Sequence, residues 1–169
     1  MHPITKSVFN RDLFEVFINK KIALIMFLGF SSGLPLALSG GTLQAWIATT
    51  PASIISIGLL GLVGLPYTLK FLWAPVLDRF KLSTLGRRRG WMISTQILLT
   101  ITMLLMGLTN PQSGLSFLAV LAFCLAFLSA SQDIAFDAFR TDSLNRKERG
   151  AGAAVSVLGY RLAMLVSGA

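Results

Sequence analysis

Long apolar segments separated by short basic clusters constrain this chain more than any other feature. Five apolar stretches succeed one another, at about residues 22–47, 53–77, 91–108, 115–138 and 151–169. A helix rises about 1.5 Å per residue, so roughly 20 apolar residues cross the hydrocarbon core of a bilayer. Each stretch reaches or approaches that length. Composition agrees. A soluble domain carries roughly a quarter of its residues charged; here 13% of 169 are charged, 54% are hydrophobic, and the mean hydropathy is +0.71. The pattern predicts an all-α polytopic membrane protein with five transmembrane helices.

The net charge of +8 would suit nucleic acid binding if the basic residues formed one patch interleaved with exposed aromatics. They do not, since they sit between apolar segments too long for a soluble core. The single cysteine, Cys124, lies in such a segment, and the single histidine, His2, is terminal. No disulfide framework, metal site, cofactor or nucleic acid partner is expected.

Residues 1–21 form a separate unit, in which Phe9, Leu13 and Phe17 are spaced by four and place one apolar stripe on a helix flanked by lysines and arginine. A short amphipathic helix in the cytoplasmic interface is predicted. The apolar stretch that follows is too long for a signal-peptide core. Thirteen of the fifteen Lys and Arg residues fall in three places: the N-terminal segment, the loop holding Arg79, Lys81, Arg87, Arg88 and Arg89, and the loop holding Arg140, Arg146, Lys147 and Arg149. The turns at 48–52 and 110–114 have none. Positive charge stays inside, so these alternate faces, and the N-terminus, are expected to be cytoplasmic.

The remaining charges lie where lipid should be. Lys70 and Arg161 fall within apolar segments, as do Asp133 and Asp137. A charge at mid-bilayer costs about 2.5–3.5 kcal/mol even on the milder insertion scale. Asp133 and Asp137 are four apart and share a helix face, which Arg140 continues, with Gln132 beside them. Arg161 lies about 16 Å along its helix from Gly150, and Lys70 about 12 Å from Asp78, so the charges converge on one depth zone. The spacing is consistent with a polar cavity between packed helices. A carboxylate there can take up a proton, because desolvation favours the neutral acid. Plainer readings stand beside this one: a structural ion pair for Asp137 and Arg140, a snorkelling stem for Lys70, and lipid anchoring for Arg87–Arg89.

Glycines and prolines add a second signal. Gly29 and Gly33 form a G-x-x-x-G pair, and small residues let helices approach closely where lipid gives little drive to associate. Pro35 and Pro66 fall inside their spans and are expected to bend or break them. Ser31, Ser32, Ser39, Thr42 and Gln44 give the first helix a polar stripe unsuited to lipid.

The Asp78-Arg79 pair, followed by Gly86-Arg87-Arg88 between the second and third spans, resembles the cytoplasmic loop signature of the major facilitator superfamily. Further strings are more specific: Ser32-Gly-Leu-Pro-Leu-Ala-Leu38, Gly41-Thr-Leu-Gln-Ala-Trp46, Phe71-Leu-Trp-Ala-Pro75, Ala130-Ser-Gln-Asp-Ile134 and Ser156-Val-Leu-Gly-Tyr-Arg161. Together they resemble the bacterial anhydromuropeptide permeases of the AmpG type. The resemblance implies import of cell-wall muropeptides (GlcNAc-anhydroMurNAc peptides) across the bacterial inner membrane for peptidoglycan recycling, dependent on the proton-motive force. It also implies a six-helix N-terminal bundle, of which residues 22–169 would supply five helices, and a C-terminal half that this chain lacks. On that reading the 169-residue chain is a truncated part, inactive alone.

From depth and charge, Gln44, Lys70, Gln132, Asp133, Asp137 and Arg161 are expected along the substrate and proton path. Asp133 or Asp137 would carry the proton, and Arg161 or Lys70 would bind a substrate carboxylate. Asp78, Arg79, Arg87 and Arg140 are expected at a cytoplasmic gate. No catalytic residue is assigned. A membrane-embedded enzyme would need clustered nucleophiles or metal ligands, and the loops offer arginines and lone carboxylates. A non-transporting membrane fragment of an interrupted gene is the other alternative.

Overall fold

The computed structural model describes residues 20–49, 61–81, 86–110 and 115–167. The expected interfacial helix therefore lies, save for Lys20 and Lys21, outside the described residues, as do residues 53–60 of the expected second span. Among the described residues every regular element is helical. Three of these stretches are long and apolar enough to cross a membrane: Lys20–Ala48, Arg87–Leu108 and Leu115–Ser143.

The first stretch has three parts. Helix α1 covers Lys20–Ala37, a widened π turn covers Leu38–Thr42, and α2 covers Leu43–Ala48. Pro35 sits buried inside α1, where its missing N–H and its ring disturb the hydrogen-bond ladder. The π turn begins three residues later and holds Gly40 and Gly41. The break expected at Pro35 thus takes the form of a local widening within a continuous stretch.

Residues 61–79 are broken more thoroughly. A 3₁₀ turn at Gly61–Gly64 leads into α3 (Leu65–Leu69), a second 3₁₀ turn at Lys70–Leu72, and α4 (Ala74–Arg79). Pro66 and Pro75 each occupy the first turn of a short helix, the one place where a missing N–H costs nothing. Two prolines nine residues apart thus leave Lys70 at the start of a tight turn between two helices.

Helix α5 runs Arg87–Leu108 and starts after Gly86, whose φ of +99° suits only glycine. Helix α6 runs Leu115–Ser143, and α7 runs Arg149–Val166. Helix α6 is the centre of the arrangement. It buries Leu118, Leu121, Leu125, Ser129, Gln132 and Phe136 at three- and four-residue spacings, a single face that meets α1, α3, α4 and α5. One apolar core joins Leu43 and Ile47 of α2 to Leu99, Leu118 and Leu125. A second joins Ile22 and Ile25 of α1 to Phe136, Leu144 and Val155.

The contact between α1 and α7 is the most extensive between helices among the described residues. A methyl group at Gly29 would lie 2.5 Å from the carbonyl oxygen of Ser156, and one at Gly33 would lie 2.7 Å from that of Tyr160. Gly159 meets the backbone of Met26 and Phe30 from the other side. Only glycine permits this approach, and van der Waals contact between backbones supplies the association that lipid does not.

The substitution Gly29→Ala is therefore expected to lower the stability of the purified protein in detergent by about 1–3 kcal/mol, the usual cost of overpacking. Gly107→Ala, where an added methyl meets nothing within 4 Å, is expected to be neutral or stabilising. Thermal unfolding of the two variants checks both.

Candidate functional site

A cleft of about 270 Å³ opens between α1, the Lys70 turn, α6 and α7. Its walls carry Ser32 from α1, Lys70, Asp133, Asp137 and Arg140 from α6, and Ser156 and Tyr160 from α7. Two cations and two carboxylates share a space formed by helices of otherwise apolar composition.

Each charge is held differently. The buried Ser32 donates its hydroxyl hydrogen to Asp133 Oδ1 in a short hydrogen bond. Asp137 is half exposed, and its Oδ1 lies 3.0 Å from Arg140 Nη2, one turn along α6. Arg140 also donates from Nη1 to Ser156 Oγ at 2.5 Å, and its guanidinium sits 5.9 Å from the centre of the Phe136 ring. This arginine ties α6 to α7 besides balancing Asp137. No ion pair within 4.0 Å joins Lys70 to a carboxylate among the described residues. Asp133 and Lys70 share the cleft without closing on one another.

The side chains expected along the path divide into two groups. Lys70, Asp133 and Asp137 come together in the cleft. Gln132, Arg161 and Gln44 are not among the residues lining it. Gln132 is buried and turned toward α5, where its Nε2 donates to Gln96 Oε1 at 2.7 Å. Thr95 Oγ1 lies 3.4 Å from Gln132 Oε1, and Ser31 donates to the same Gln96 oxygen at 3.2 Å. The amide thus belongs to a polar seam between α1, α5 and α6. Arg161 is exposed, and its neighbour Tyr160 occupies the cleft instead. Gln44 is half-buried in α2, beyond the π turn.

The cytoplasmic charges sort similarly. Asp78 at the end of α4 is ion-paired with Arg88. Arg88 Nε also lies 3.3 Å from Asp142 Oδ2 at the end of α6. One arginine therefore bridges α4 and α6 from the first turn of α5. Arg79 and Arg87 are exposed and make no ion pair among the described residues, and Arg140 belongs to the cleft. Trp91 reinforces the bridge by donating from its indole nitrogen to the Phe80 carbonyl at 3.0 Å. Trp73 closes the neighbouring wall, donating to Ser131 Oγ at 3.1 Å and resting on Phe127 with ring centres 4.8 Å apart.

Sequence reasoning did not single out Tyr160, Ser156, Arg88 or Asp142. Ser156 and Tyr160 are four apart, the spacing that put Asp133 and Asp137 on one face. That signal was available. Among Arg87, Arg88 and Arg89 no sequence signal chooses one, since successive residues on a helix differ only by about 100° in direction.

Comparison with known proteins places this geometry in context. The model of the family described as Acetyl-coenzyme A transporter 1 (Acatn) matches residues 21–116. The chain is 54% identical over 154 residues to the anhydromuropeptide permease of Escherichia coli K12, covering 91% of this chain and 31% of that protein. An uncharacterized protein of Haemophilus influenzae is 43% identical over 88% of this chain and 35% of its own length. A Rickettsia felis protein bearing the name AmpG 4 is 36% identical over 98% of this chain and 39% of its own length. The chain thus spans about a third of the length of these relatives. With its apolar helices it is an all-α, multi-pass membrane chain similar to the AmpG-type proteins, and it belongs to the family described as Acetyl-coenzyme A transporter 1.

Proposed function

We propose that these helices serve, in a protein of the relatives' full length, the proton-motive-force-dependent uptake of cell-wall muropeptides across the bacterial inner membrane. The observation that carries the reading is the charged cleft, which Lys70 and Asp133 both line in an apolar helical setting. The relative named as an anhydromuropeptide permease supports the substrate class. The basic clusters support a cytoplasmic N-terminus.

The charges suggest how proton and substrate are coupled. With both carboxylates ionised, the cleft is neutral, and its two cations are balanced. Arg140 is engaged by Asp137 and Ser156, which leaves Lys70 and Asp133 as the adjustable pair. Protonation of Asp133 removes one negative charge, leaving the cleft net positive and Lys70 able to attract a carboxylate of the muramyl group or peptide stem. Deprotonation restores the competitor and expels the anion. Proton and substrate then enter together and leave together, as symport requires. Asp137, already paired, is the poorer proton carrier, and Arg161 lies outside the cleft. The Asp78–Arg88–Asp142 bridge would act as the cytoplasmic latch, with Arg88 in the part that Arg79 and Arg87 were expected to fill.

In a full-length protein carrying these residues, Asp133→Asn is expected to reduce proton-driven accumulation of labelled anhydromuropeptide at least tenfold while leaving substrate binding intact. Lys70→Gln should weaken binding itself. Normal accumulation by both variants in vesicles with an imposed pH gradient would sink this reading. For the latch, Arg88→Gln should raise cytoplasmic-side accessibility of a cysteine placed at Ser131, whereas Arg87→Gln should not. Labelling rates with a membrane-impermeant thiol reagent, in a protein whose Cys124 is replaced by serine, measure the difference.

A further inference from the structure

A second cavity, of about 290 Å³, lies among the ends of α1, α5 and α6 that adjoin the basic segments. Lys21 and Arg89 stand at its rim from the first turns of α1 and α5, and Ser143 contributes a hydroxyl from the last turn of α6. Its inner wall is apolar and comes from Leu24 and Ile25 of α1 and Phe139 of α6. The transport reading does not use this space.

The order of these residues along the helices determines what fits. The two cations and the hydroxyl are at the helix ends, where the apolar segments give way to the basic loops. Leu24, Ile25 and Phe139 lie about one turn further into the apolar zone, roughly 5 Å deeper. A ligand matching this profile carries its negative charge at the membrane surface and hydrocarbon immediately below. Arg89 has no ion-pair partner among the described residues, and a phosphate can take its guanidinium in bidentate fashion. A free anion would satisfy the rim and leave the apolar wall bare; an uncharged acyl chain would do the reverse.

We propose that this cavity is a site for one anionic phospholipid, with its phosphate between Lys21, Arg89 and Ser143 and the upper part of an acyl chain against Leu24, Ile25 and Phe139. The site is independent of the substrate reading. Because the cavity joins α1 and α6 to the first turn of α5, a lipid held there braces the start of α5.

The test uses the full chain in vesicles containing a photoreactive phosphatidylglycerol, with adducts mapped by mass spectrometry. Adducts are expected in the peptides holding Leu24 and Phe139. The double variant Lys21→Gln, Arg89→Gln should lower them roughly tenfold or more, from the attraction that each basic residue near a membrane surface contributes. Arg146→Gln with Lys147→Gln, which removes two exposed charges elsewhere, should leave them unchanged. Four results overturn the proposal: equal labelling by photoreactive phosphatidylcholine, equal labelling of the double variant, loss of labelling in millimolar inorganic phosphate, or no adduct in the unaltered chain. The third would mean a free-phosphate site, and the fourth a cavity that takes no phospholipid.

Discussion

The backbone contact between α1 and α7 is the constraint on which the rest of the structure depends. In water, helices are driven together by apolar surface; in lipid that drive vanishes, because tails and side chains are equally apolar. What remains is close packing and polar pairing. Gly29, Gly33 and Gly159 remove the side chains that would hold the two helices apart. Both helices also bond to α6, where Ser32 of α1 donates to Asp133 and Ser156 of α7 accepts from Arg140. The missing methyl groups thus set the spacing of two of the helices that wall the cleft.

Polar pairing does the same work between α1, α5 and α6. Gln96 and Gln132, with Thr95 and Ser31, form a seam inside an otherwise apolar contact. An unpartnered amide in hydrocarbon is costly, so each glutamine holds the other's helix in one register. The cleft on one side of α6 and the seam on the other use neighbouring residues, Asp133 and Gln132. Helix α6 can serve both because adjacent side chains leave it in directions about 100° apart.

That angle also explains what the sequence could and could not reveal. Depth was legible, because a helix converts residue count into height at a constant rate. Lys70, Asp133 and Asp137 were placed at one level by that arithmetic, and they share the cleft. Direction was less legible. Gln132 adjoins the cleft-lining stretch of α6 and Arg161 that of α7, yet neither lines the cleft, and Tyr160 was hidden by the louder charge beside it. Helix character followed from apolar length, and the break at Pro66 from its chemistry. The second break, at Pro75, went unread because this proline sat close to the expected end of a span. The pairing of Gly159 with Met26 and Phe30 depends on tertiary contact, which no single-chain pattern displays.

The π turn at Leu38–Thr42 separates two parts of a single rod that answer to different surroundings. Below it, Ile22 and Ile25 belong to the core shared with Phe136 and Val155; above it, Leu43 and Ile47 belong to the core shared with Leu99 and Leu125. A regular helix transmits twist rigidly along its axis, whereas a widened turn has one hydrogen-bond ring out of step and yields to torsion more readily. Gly40 and Gly41, with no neighbouring atoms where side chains would be, add no steric resistance there. The widened turn therefore lets one rod serve two cores, its lower part beside the charged cleft and its upper part against Leu99 and Leu125.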